Sequence, residues 1–170
     1  MSMDLDCYLT KTQQHKIIET IANCCRRFQA FEREYKGLFH EPYTVMRHKH
    51  ALTSAVLSGF APGTMDIDGI TTETVQYGLG CKLAQPELRT QNAVFHIYSN
   101  GSTLKGRLIS DRCKVYNTDL NTLPIFFIIV FHATNKGALK KIEVCYLDEN
   151  ASIKSKETIY TAPKIQLMAV

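Results

Sequence analysis

IFFIIVFHATNKGALKKIEVCYL, residues 125–147, carries the clearest structural signal in this chain. Ile125 to His132 is apolar at nearly every position. A strand with one wet face alternates apolar and polar residues. An unbroken run instead predicts a central strand covered on both faces. Asn135-Lys136-Gly137 then supplies the residues of a hairpin turn, because asparagine and glycine accept the positive φ angles such turns need. Leu139 to Leu147 reads as the returning strand, with Ile142, Val144 and Tyr146 on one face and Lys141, Glu143 and Cys145 on the other.

Downstream, Asp148-Glu149-Asn150 is a turn, and residues 152–160 predict an edge strand. Upstream lies a polar loop, Asn117 to Pro124. Before it, residues 103–116 carry Leu104, Leu108 and Val115 at helical spacing, with Ser102 as a cap, and predict a helix that Gly106 weakens. Ala93 to Tyr98 predicts a strand stopped by Ser99-Asn100-Gly101. The Thr-rich stretch Ile70 to Tyr77 predicts another. GLGCKLAQPEL, residues 78–88, has two glycines and a proline and reads as loop.

The N-terminal third is helical. Over residues 10–36, Ile17, Ile21, Cys24, Phe28, Phe31 and Tyr35 form one stripe, with Thr10 or Thr12 as cap and Gly37 as stop. A second helix is predicted over 47–59, with Leu52, Ala55, Val56 and Phe60 on one face. Its small residues, Ala51, Ser54, Ala55, Ser58 and Gly59, permit a close neighbour, and Gly59 and Pro62 end it. The expected fold is therefore α+β in one domain, residues 1–170. An N-terminal helical pair packs on a mostly antiparallel sheet of four to five strands, with one further helix. Helix one and the 103–116 helix would cover the two faces of the 125–131 strand.

Composition narrows the function classes. A chain of 170 residues with 45% hydrophobic and 21% charged residues can build its own core. No run approaches the roughly 20 apolar residues that span a bilayer. MSMDLDCYLT has neither the basic start nor the apolar segment of a secretion signal. These features predict a cytoplasmic protein without membrane contact, and reduced thiols at Cys7, Cys24, Cys25, Cys81, Cys113 and Cys145. No cysteine pair has C-x-x-C spacing. The net charge of +4 and pI near 8.7 are mildly basic, which permits an anionic partner without requiring one.

Arg47-His48-Lys49-His50 opens the second helix. Cations there add to the positive end of the helix dipole, where the backbone N–H groups also lack partners. That combination suits an anion or a nucleic-acid phosphate. Arg26 and Arg27 on the first helix, with Arg33 and Lys36, would extend the patch if the two helices are neighbours. His48 and His50, two apart on a helix, fall on different faces and make no shared metal site. Among carboxylates, Asp66, Asp68, Glu73 and Glu87 invite comparison with the Asp…Glu-x-Lys pattern of metal-dependent nucleases. Only Asp68 with Glu87 offers a degenerate version, with Arg89 in the lysine's place, and arginine holds its proton too firmly to activate water.

There is no G-x-S-x-G elbow, no dinucleotide or Walker loop around Gly78-Leu79-Gly80, and one thiol, Cys81, with a lysine beside it to lower its pKa. Tyr77, Tyr98 and Tyr116 could stack on bases but are not interleaved with cations. His96 and His132 fall within strands and read as hydrogen-bonded residues of the fold. No cofactor is implied. Three classes remain: a non-enzymatic module that binds a protein partner or a second copy of itself, a nucleic-acid-associated protein using the basic patch, and a degenerate metal-dependent hydrolase.

Overall fold

The computed structural model describes residues 4–35, 45–75, 85–99, 124–134, 136–150 and 152–163. After a short 3₁₀ turn at Leu5–Cys7 the chain enters helix α1, Lys11–Tyr35, and then helix α2, Val45–Ser58. Six strands follow: β1 Thr71–Val75, β2 Gln85–Arg89, β3 Ala93–Ser99, β4 Ile125–Ala133, β5 Leu139–Leu147 and β6 Ile153–Thr161. They form one sheet in chain order. Every neighbouring pair is antiparallel except β3 and β4, which run parallel with Ala93 opposite Ile125 and Ser99 opposite Phe131. Parallel neighbours need a crossover connection, and the predicted 103–116 helix falls in that connection, outside the described residues.

Thr10 starts α1 with a capping box. Its hydroxyl accepts from Gln13 N–H at 3.2 Å, and the Gln13 side chain accepts from Thr10 N–H at 2.9 Å. The apolar stripe buries Ile17, Ile21, Cys24 and Phe28 as the spacing predicts, but not Phe31, which is 52% exposed. Leu52, Val56 and Phe60 of α2 and its exit are buried. The small residues do bring the helices close: a Cβ on Gly59 would lie 2.5 Å from Cys24 Sγ.

Both helices lie over the sheet face made by Leu88, Phe95, Ile97, Phe127, Ile129, Phe131, Ile142, Val144 and Tyr146. The opposite face carries a second buried cluster, Val94, Tyr98, Phe126, Ile128, Val130, Cys145 and Leu147. Phe126 through Ile129 are at most 2% exposed on alternating faces, so β4 is covered on both, as its unbroken apolar run implied.

Three expectations need correction. The sheet has six strands, not four to five, though it is mostly antiparallel as expected. The additional strand is β2, most of it within the 78–88 stretch read as loop. Pro86 is tolerated because its partner is Thr74 of β1, while the pairing to β3 is confined to Leu88 and Arg89. A proline needs a position with no inward N–H to donate. The helices are also arranged differently: α1 lies against β5 and β6 and α2 against β3, so both helices share the one sheet face.

The hairpin between β4 and β5 forms where Asn135-Lys136-Gly137 placed it. Gly137 has φ +93° and donates to the Thr134 carbonyl at 2.9 Å. It also passes under α1, where a Cβ would meet Phe28 at 2.8 Å.

Candidate functional site

The basic residues proposed from the sequence lie on the two helices that meet. Arg26 and Arg27 are exposed on α1. Arg26 donates to the Asn23 side chain one turn back. Arg47, His48, Lys49 and His50 occupy the first two turns of α2, a helix with no acidic residue in its first turn; Arg47 lies one turn before Ala51.

Between the helices runs an open groove of about 660 Å³. One wall is α1, with Thr20, Cys24, Arg27, Phe28 and Phe31. The other is α2 and its exit, with Ala51, Ala55, Ser58 and Gly59. The cause is the mismatch between large residues on one helix and small ones on the other. They let the backbones approach at Cys24 and Gly59 and leave the space beyond unfilled. Burial pushes the Cys24 thiol above its ordinary value, against the pull of the Arg27 charge and a hydrogen bond at Gly59.

The acidic candidates are not alike. Asp68 is exposed in the turn before β1, and its carbonyl accepts from Gln13 of α1 at 3.1 Å. Glu87 is fully buried on the sheet face away from the helices. Its Oε2 accepts from Arg89 Nε at 2.7 Å and its Oε1 lies 2.9 Å from His96 Nε2. His96 is itself fully buried, its ring edge-on to Phe126 at 4.9 Å. Both oxygens of Glu87 are thus engaged by nitrogen donors, an arrangement that opposes a dication at the same carboxylate. Among the described residues, no group of three His, Cys, Asp or Glu is placed to hold a metal ion.

Sequence reasoning missed a second buried carboxylate on that face. Glu143 of β5 is 5% exposed. His132 Nε2 of β4 lies 2.6 Å from its Oε1, Lys141 Nζ 3.4 Å from the same oxygen, and Lys156 Nζ of β6 3.4 Å from Oε2. Burial would raise the Glu143 pKa, but His132, Lys156 and Lys141 together outweigh it and hold the carboxyl below its ordinary value. The signal was available in the hairpin. The β4–β5 register sets His132 opposite Lys141, and Glu143 lies beyond it on the same face. Tyr98, a stacking candidate by sequence, is 8% exposed on this face and belongs to its core. Tyr77, Tyr116 and Cys81 lie outside the described residues.

Among the described residues, no helix is long and apolar enough to cross a membrane. Comparison with protein-family models, with curated proteins and with solved structures gave no match.

Proposed function

We propose that this protein is a non-enzymatic binding module whose α1–α2 groove receives a partner-protein segment bearing an apolar anchor flanked by acidic side chains. The observation that carries this reading is the groove lining. Phe31 stands 52% exposed beside Arg27, facing a wall of small residues. An aromatic side chain held at a concave, largely apolar surface gives an incoming side chain something to bury against, which is where binding energy concentrates. Arg27 in the groove wall, with Arg26 exposed beside it on α1, gives this edge a positive charge that selects acidic neighbours and speeds encounter.

A nucleic-acid strand would use the same cations through its phosphates, and would leave the small-residue wall unused. The two readings separate by salt, because phosphate contacts release counterions and weaken steeply as salt rises.

The test is selection from a phage-displayed peptide library on the intact protein, with an Ala51→Phe variant as counter-target. Ala51 is exposed, so phenylalanine there fills the groove without entering the core. We expect acidic peptides with an apolar centre to be enriched on the wild type, lost on Ala51→Phe, and weakened by Arg27→Glu. Absence of enrichment would end the reading. Fluorescent oligonucleotides that bind at about 50 mM salt, fade at about 200 mM and are lost in Arg26→Ala/Arg27→Ala would replace it with nucleic-acid binding.

A further inference from the structure

The Glu143 cluster lies on the other face of the sheet from the helices and shares no residue with the groove. One carboxylate there is met by three cationic or potentially cationic groups from three adjacent strands: His132 from β4, Lys141 from β5 and Lys156 from β6. Lys141 sits on one oxygen of Glu143 and Lys156 on the other. The neighbouring titratable group on the same face, Cys145, is held protonated, its pKa pushed up to about 11 by burial and by Glu143.

Charge does not balance in this cluster. One carboxylate neutralises one ammonium, and a second ammonium, plus the imidazole when protonated, is left over. Two lysines held against one carboxylate also repel each other, and a second anion would relieve that repulsion. The lysine donors are accessible: the side chains of Lys141 and Lys156 are 40% and 52% exposed, while Glu143 beneath them is 6% exposed and His132 Nε2 is buried against its Oε1. An ammonium carries three N–H donors, so each lysine has donors to offer solvent beyond Glu143. Thr158 of β6, directly across from Glu143 and exposed, adds a hydroxyl at the margin.

We propose that Lys141, Lys156 and His132, gathered over Glu143, form a binding site for a phosphate group. The donor set favours that oxyanion over a carboxylate. A carboxylate is best matched by the planar fork of an arginine, whereas separated point charges with rotatable donors suit a tetrahedral, doubly charged group. Glu143 acts as the anchor that holds the lysine stems in place. The phosphate can belong to a small phosphorylated molecule or to a nucleic-acid backbone.

The experiment follows the His132 ring resonance by NMR, assigned through its loss in His132→Gln, while inorganic phosphate replaces chloride at constant ionic strength. We expect a saturable shift in the millimolar range. It should weaken about tenfold or more in Lys141→Ala/Lys156→Ala, and at least several-fold in the single Lys141→Gln and Lys156→Gln variants, which keep most of the stem. No saturable shift up to about 50 mM phosphate, or one that survives loss of both lysines, would overturn the proposal. Pyrophosphate and a short oligoribonucleotide titrated in parallel identify the source. A gain confined to pyrophosphate points to a small molecule, and a much larger gain with the oligonucleotide points to a polymer backbone.

Discussion

Replacing Glu87 tests whether it acts as a structural tie or as a ligand in waiting. The carboxylate is fully buried and engages Arg89 at 2.7 Å and His96 at 2.9 Å. Breaking a buried, hydrogen-bonded ion pair from one side costs about 3–5 kcal/mol, because the surviving charge stays desolvated. Two features trim that cost. Arg89 is 40% exposed and can turn its guanidinium to water, and an imidazole can shed its charge by losing a proton. We therefore expect Glu87→Ala to lose about 3 kcal/mol and Glu87→Gln about 2 kcal/mol, the amide keeping one acceptor. For a chain of this size about 3 kcal/mol corresponds to a fall in Tm of roughly 6–12 °C.

The double replacement Glu87→Leu/His96→Phe removes both buried polar groups together. It should recover most of the loss, since an apolar pair of similar volume is often neutral or better. Urea unfolding followed by circular dichroism measures all four proteins, the chain having no tryptophan to report by fluorescence. A loss below about 1 kcal/mol for Glu87→Ala, or a double variant as unstable as the worse single, would refute the assignment of Glu87 as a tie. A rise in thermal stability with Mg²⁺ or Mn²⁺ that vanishes in Glu87→Gln would revive the hydrolase reading.

Gly137→Ala should cost about 2–4 kcal/mol by urea unfolding, from strain at φ +93° and the clash 2.8 Å from Phe28. Gly63→Ala, at φ +84° with nothing within 4 Å, should cost only about 1 kcal/mol. Because the folded Glu143 carboxyl lies below its ordinary value of 4.5, its contribution is fully present above that pH and is lost as pH falls through the folded pKa. Stability measured from pH 6 to pH 3 should fall less steeply in Glu143→Gln than in the wild type. Cys25 and Cys145, both pushed up to about 11 chiefly by burial, should resist iodoacetamide at pH 8 in the native protein and label only on unfolding, as read by peptide mass spectrometry.

The parts of the fold that could be read from sequence are those where one strong local signal acted alone. Ile125–His132 and the Asn135-Lys136-Gly137 turn specified a hairpin whose returning strand is Leu139–Leu147, as expected. Thr10, one of two cap candidates, starts α1. The strand Gln85–Arg89 was hidden because glycines and a proline ahead of Glu87 signal a loop, while Pro86 is tolerated only through a pairing that no local pattern encodes. Phe31 kept the helical period of the core stripe, yet whether a stripe residue finds a surface to cover depends on where the partner helix lies.

The candidate sites divide in the same way. Arg26 and Arg27 could be matched to α2 only conditionally, because no local pattern says which helices are neighbours; α1 and α2 do meet. Glu87 stood out for its spacing to Arg89, but its burial against His96 comes from the β2–β3 pairing. Glu143 looked like an ordinary outward residue of an alternating strand, because alternation separates the faces without saying that both are covered.

The β3–β4 junction has a kinetic consequence. Strands β1 to β3 and β4 to β6 are each antiparallel meanders whose partners are near in sequence. The parallel joint between them pairs residues as distant as Ala93 and Ile125. Closing a long loop precedes the contacts that reward it, so local hairpins form in microseconds while non-local pairing sets the pace. The two halves of the sheet should then gain hydrogen-exchange protection early and separately, and substitutions in the two joint strands, such as Ile97→Ala or Ile129→Ala, should slow folding more than similarly buried changes in strands away from it, such as Leu88→Ala or Val144→Ala.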